Sequence, residues 1–159
     1  MEKGGADMKI LAIEESEEEL LQLEECLLNN LPNAEIHGFI DGETAWEWSR
    51  DNRMDVVFAQ FALPNEVIDK TEGAEIASRL YQEGKCKNMI LCAKELDDSM
   101  KAWNMDASFF YLKPVTNKKI RMGLQKLRYP LSSIDLMGDR TGIVENHLAV
   151  GGNDESYGS

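Results

Sequence analysis

The sequence predicts a doubly wound α/β domain: a five-stranded parallel sheet with helices on both faces. Three observations predict it. Short apolar runs and amphipathic segments alternate five times along the chain. The runs are continuous rather than in-out alternating, as strands buried on both faces are. The connections between them are too long for hairpins, and each carries a helical pattern, so parallel crossovers are the economical path.

The first run, residues 9–13, reads Lys-Ile-Leu-Ala-Ile and stops at Glu14-Glu15. Ser16 followed by Glu19 has the spacing of a capping box, so a helix starts there. Leu20, Leu23, Leu27, Leu28 and Leu31 give it one apolar stripe, and Pro32 breaks it. Residues 34–40 form a modest strand, Asp41-Gly42 a turn, and residues 43–52 a helix with Ala45, Trp46 and Ser49 inward. The third strand, Asp55 to Ala62, is almost wholly apolar and is closed by Leu63-Pro64. A polar loop over 65–72 leads to a helix from Gly73 that ends near Gly84. Residues 89–93 make the fourth strand, 96–104 a helix with Met100 and Trp103, and 107–112 a fifth strand rich in aromatics. Lys113-Pro114 ends it. A basic helix over 117–128 follows, with Ile120, Leu124 and Leu127 inward.

One domain therefore spans residues 8–129, after a short extension over 1–7. Residues 130–159 are rich in Gly, Ser, Asp and Asn, with sparse apolar positions. They read as a loosely ordered acidic tail, or as a tail with a short strand or helix docked on the domain. The tail is too short, too Gly-rich and too acidic to read as a DNA-binding unit.

Seventeen Lys and Arg stand against 29 Asp and Glu, a net charge of −12. That excludes sequence-independent nucleic-acid binding through phosphates, which needs basic clusters. No run approaches the roughly 20 apolar residues of a membrane span, and residues 1–7 lack the apolar stretch of a signal peptide. Cys26, Cys86 and Cys92 are odd in number and contain no CxxC pair, which indicates reduced thiols of a cytoplasmic protein. His37 and His147 lack partners at metal-ligand spacing and read as surface or packing residues.

One residue interrupts the central apolar run. Gln60 lies near the carboxyl end of the third strand, the edge where open α/β sheets place their sites. It is neither acid, base nor nucleophile.

Four features in order resemble the receiver domain of bacterial two-component response regulators: Glu14-Glu15 after the first strand, a polar residue before Leu63-Pro64 after the third, Ala93 ending the fourth, and Lys113-Pro114 ending the fifth. The resemblance covers residues 8 to about 128 and implies the flavodoxin-like strand order 2-1-3-4-5. Segments such as Phe39-Ile40-Asp41-Gly42 and Leu112-Lys113-Pro114-Val115 look most like receivers attached to transcriptional output domains. In that family the acidic pair binds Mg²⁺, an Asp on the third strand accepts phosphate from a histidine kinase, and a Thr or Ser and a Lys respond to it. Carried over, the acidic pair is Glu14 and Glu15, the acceptor position is Gln60, the hydroxyl position is Ala93 (or Cys92 with a one-residue gap), the lysine is Lys113 and the aromatic switch is Phe110.

The departures are the informative part. An amide does not perform the nucleophilic attack of a carboxylate, and Ala93 has no hydroxyl. The sequence therefore reads as a degenerate receiver, not an enzyme, that works by protein–protein association in signalling or transcription control. No cofactor is expected beyond weak Mg²⁺ binding by Glu14, Glu15 and the Gln60 oxygen. The alternative is a receiver that still responds to Mg²⁺ or phosphorylation through this non-standard acidic pocket. A nucleotide- or flavin-binding module is disfavoured, because no Gly-rich loop follows the first strand. The resemblance places the association face, for a partner or a second copy, on the 96–104 helix, the fifth strand and the last helix, with Trp103, Phe110, Lys118, Lys119 and Arg121 on it.

Overall fold

A computed structural model describes residues 8–60, 73–94, 105–127 and 143–147. In chain order these form β1 (Met8–Ile13), α1 (Glu17–Asn30), β2 (Ala34–Phe39), α2 (Gly42–Ser49) and β3 (Met54–Gln60), then α3 (Gly73–Gln82), β4 (Cys86–Ala93), β5 (Phe109–Leu112), α4 (Asn117–Gln125) and β6 (Ile143–His147). The strands make one sheet in the order β5-β4-β3-β1-β2-β6, and every pairing is parallel. The expected 2-1-3-4-5 order is present. The expected helix over 96–104, with Trp103, and the loop over 65–72 lie outside the described residues, as do Leu63-Pro64 and most of the tail.

The doubly wound arrangement follows from side-chain alternation along buried strands. Leu11 and Ile13 of β1, with Val57 and Ala59 of β3, point into a core shared with Ala45 of α2 and Ile76 and Leu80 of α3. Ile10 and Ala12, with Val56 and Phe58, point into the opposite core, against Leu20, Leu23 and Leu27 of α1 and Ile120 and Leu124 of α4. The helices start where the sequence signals them. Ser16 Oγ accepts from the Glu19 N–H at 3.2 Å, Asp41 Oδ2 from the Thr44 N–H at 2.8 Å, and Thr116 Oγ1 from the Lys119 N–H at 3.1 Å. Gly84 closes α3 at φ +77°, a left-handed position that suits glycine.

Two features correct the sequence reading. The sheet has six strands, not five, because β6, the docked short strand that the second reading of the tail allows, adds to the free edge of β2. Its polar residues have polar partners: Glu145 and His147 meet His37 of β2, and Asn146 meets Glu24 of α1. Secondly, β4 begins at Cys86, three residues before the expected 89. Asn88 disguised that start: it is fully buried, and its Oδ1 accepts from the Ser108 hydroxyl at 2.9 Å.

The seam between α1 and β2 is tight. A Cβ on Gly38 would collide with the Glu24 carboxylate and would lie 2.9 Å from the Leu20 methyls, so glycine permits this close approach. Glu24 is itself buried. The Asn146 amide, turned so that its nitrogen faces α1, donates to both Glu24 oxygens, at 3.0 Å to Oε1. Burial outweighs that hydrogen bond and raises the Glu24 carboxyl from 4.5 to about 7.

Gly38→Ala is expected to cost about 1–3 kcal/mol by overpacking, read as a lower urea midpoint at unchanged slope. Glu24 sets a second expectation. Its folded-state pKa is raised, so its contribution is fully present below 4.5 and fades as pH rises through about 7. Between about pH 5 and about pH 8 the wild type should lose on the order of 3 kcal/mol relative to Glu24→Gln in urea unfolding. Parallel pH profiles for the two proteins would contradict the assignment.

Candidate functional site

Four strand ends meet at the carboxyl edge of the sheet. β1 ends at Ile13 and hands on to Glu14 and Glu15; β3 ends at Gln60, β4 at Ala93, and β5 at Leu112, next to Lys113. The Lys113 N–H donates to the Ala93 carbonyl at 2.9 Å and fixes the exit of β5 on β4. The Lys113–Pro114 peptide is cis.

The Lys113 side chain turns inward and is 9% exposed. Its ammonium donates to Glu14 Oε1 at 2.7 Å, to Gln60 Oε1 at 2.5 Å and to Glu19 Oε1. An ammonium has three N–H donors, so this set uses all of them. Glu15 faces a second lysine, with Lys94 Nζ 2.7 Å from its Oε2. Glu14 Oε2 lies 3.9 Å from the Cys92 thiol.

The electrostatics follow from burial and these partners. Burial raises the Glu14 carboxyl above its ordinary value, and Lys113 opposes the rise without cancelling it. Burial also works against the Glu15 charge, but the Lys94 hydrogen bond, the Lys113 and Lys94 charges and a hydrogen bond from Gln60 together hold that carboxyl low. Burial and the Glu14 carboxylate push the Cys92 thiol well above its ordinary value, so it stays protonated and unreactive. The buried Tyr111 hydroxyl lies beside Cys92 and, among the described residues, has no hydrogen-bond partner of good geometry.

The structure thus brings Glu14, Glu15, Gln60 and Lys113 together. Ala93 is buried at the same edge, in one cluster with the half-buried Phe110. The proposed output residues behave differently from one another. Lys118 is exposed, whereas Lys119 Nζ donates to the Leu112 carbonyl at 2.7 Å and the Pro114 carbonyl at 3.0 Å. Arg121 Nε donates to Asn30 Oδ1 at 3.3 Å, across to α1. Two of the three basic residues expected on a partner face therefore hold the domain's own backbone and helices.

Sequence reading missed Glu19 and Lys94. Glu19 has the spacing of a capping box, which draws attention to the helix terminus. Its backbone N–H does bond Ser16, but its carboxylate goes to Lys113. The sequence also left His37 and His147 isolated, whereas β6 sets their ring nitrogens 3.0 Å apart. An open cleft lined by Tyr81, Cys86 and Met105 lies at the start of β4, the opposite edge of the sheet from Lys113.

No protein-family model matches the sequence, and no curated protein matches it. Solved structures do resemble it. The chemotaxis protein CheY4 of Vibrio cholerae superposes with a TM-score of 0.62 at 18% identity, over 78% of this chain and 99% of that one. The response regulatory domain of MrkE from Klebsiella pneumoniae gives 0.64 at 21% identity, over 76% and 94%. The response regulator TrrA of Thermotoga maritima, solved in complex with Mg²⁺ and BeF, gives 0.61 at 19% identity, over 76% and 98%. The chain has the receiver-domain fold. Among the described residues, no helix is long and apolar enough to cross a membrane.

In this receiver-like sheet, removing the ammonium strands a buried carboxylate. Lys113→Met is expected to destabilise the domain by about 3–5 kcal/mol at neutral pH. Glu14→Gln in the same chain should return much of the loss, because it removes the uncompensated charge. Urea unfolding of both variants checks this; equal losses in the two would show that Lys113 acts through packing alone.

Proposed function

We propose that this chain is a receiver-type signalling module of a two-component or phosphorelay system that acts by protein–protein association, without phosphoryl transfer. The observation that carries the reading is the saturated Lys113 ammonium, held by Glu14, Glu19 and an amide oxygen at the acceptor position. Phosphoryl acceptance at the end of the third strand needs a carboxylate nucleophile. Here that position holds an amide, and the lysine is engaged.

The donor set also does not suit Mg²⁺, the ion the fold family implies. Mg²⁺ asks for octahedral oxygen ligands and a net negative pocket. Lys113 covers Glu14 and Gln60, and Lys94 covers Glu15. The ion would have to displace two ammonium groups. The pocket is better described as a polar lock that holds one arrangement of the carboxyl edge. A signal then enters or leaves through partner binding, in the cytoplasm, by way of β5, α4 and the preceding segment, with Lys118 and Arg121 exposed basic groups of that face. Transcription control is the process we assign to it. The second reading, a pocket still responsive to Mg²⁺, draws on the hydrogen bond between Gln60 and Glu15, which brings an amide and a carboxylate together.

Incubation with acetyl phosphate and Mg²⁺, followed by intact mass, tests the proposal. The wild type should gain no phosphoryl group, and Gln60→Asp should gain Mg²⁺ affinity before it gains phosphorylation. Phosphoryl uptake by the wild type would overturn the reading. Unchanged Mg²⁺ affinity in Gln60→Asp would show that the pocket is misplaced.

A further inference from the structure

β6 completes a second polar cluster, which shares no residue with the Lys113 pocket. Side chains two apart on a strand share a face, so Glu145 and His147 project together. The parallel register sets Glu145 opposite His37 and His147 opposite Phe39. Three ligand-type atoms meet there. His37 Nδ1 is 3.0 Å from His147 Nε2 and 3.3 Å from Glu145 Oε1, and His147 Nε2 is 3.5 Å from the same oxygen.

Those separations are the edges of a coordination polyhedron. With bonds of about 2.0–2.1 Å, the ligands of a tetrahedral Zn²⁺ lie about 3.3 Å apart. The observed 3.0, 3.3 and 3.5 Å bracket that value. The three atoms therefore already hold three corners of such a site.

The tautomer of the inner imidazole fits as well. His37 Nε2 lies 2.5 Å from Glu35 Oε2. A carboxylate only accepts, so the neutral ring carries its proton on Nε2, and in that form the Nδ1 lone pair faces Glu145 and His147. A carboxylate behind the distal nitrogen is the usual outer-shell support of a metal-binding imidazole. A hydrogen bond from His147 Nε2–H would satisfy His37 Nδ1, yet Glu145 Oε1 would still face a lone pair at 3.3 Å. A cation resolves that opposition. The walls are apolar: Phe39 stacks on His147 at 4.5 Å between ring centroids, and Trp48 lies 4.5 Å from His37.

We propose that His37, Glu145 and His147 bind a divalent first-row metal of the Zn²⁺ class, with a fourth position open to water, and that the ion fastens β6 to β2. Two imidazoles and one carboxylate suit Zn²⁺, Co²⁺ or Ni²⁺ and not Mg²⁺ or Ca²⁺. The side chains of Glu145 and His147 are 54% and 28% exposed, which leaves an entry path. Two of the three ligands come from β6, so metal occupancy and docking of that strand are linked.

The test uses the full chain, stripped with a chelator and titrated with Zn²⁺ alone. Equilibrium dialysis with metal analysis should find one ion per chain, and Co²⁺ should give the visible absorption of a tetrahedral site. Bound Zn²⁺ should raise the melting temperature of the wild type. His147→Ala and Glu145→Ala should each weaken binding about 100-fold or more, and Glu35→Gln about 10- to 100-fold. Glu145 and Glu35 are not core residues, so their variants report even where His147→Ala fails to fold. No saturable uptake by the wild type would overturn the proposal. So would uptake that Glu145→Ala and Glu35→Gln leave unchanged, since the ion would then sit elsewhere, for instance on a cysteine.

Discussion

The carboxyl edge of this molecule depends on one ammonium group. Lys113 follows β5, yet its three donors reach the residue after β1, the last residue of β3 and the first turn of α1. A lysine taken this far out of water is tolerated only where its donors are met and its charge is balanced. Both conditions hold. The same group that neutralises Glu14 also fixes Gln60 and draws in Glu19, so moving one of these side chains unsettles the others. Buried pairs of this kind add little net stability over apolar isosteres, but they do specify geometry. The network therefore accounts for a defined carboxyl edge better than for a stable one.

The frame around it was legible in the sequence because it rests on local signals. Continuous apolar runs closed by Glu or Pro gave β1, β3 and β5, and Ser16 and Gly84 marked helix ends. The positions of Gln60 and Lys113 were legible for the same reason: each is a polar residue at the end of an apolar run. What escaped depends on distance along the chain. β6 has few apolar residues, and its partners lie on β2 and α1; His147 and His37 are 110 residues apart. No spacing rule reaches that far, and only the parallel register of the two strands brings the rings together. Glu19 escaped for a different reason. Its backbone has one use and its side chain another, and the capping signal describes only the first.

Both edges of the sheet follow one physical theme. At the carboxyl edge a cation belonging to the protein gathers oxygens from separate strands. At the seam of β2 and β6, imidazole and carboxylate groups from the two strands converge on one point. The fold supplies the convergence in each case, because parallel strands align side chains in register. What differs is whether the positive charge is built into the chain. The receiver-like fold alone fixes neither outcome; the lysine, the amide at position 60 and the edge histidines do.

The most direct test of this account is an amide NMR titration of the intact chain with Mg²⁺ and beryllofluoride, which together mimic a phosphorylated receiver. With Lys113 already saturated, the resonances of Glu14, Gln60 and Lys113 should show no saturable shift. Saturable shifts at those residues that spread to Phe110 would contradict the account, because they would mean that the lock opens and the switch still answers.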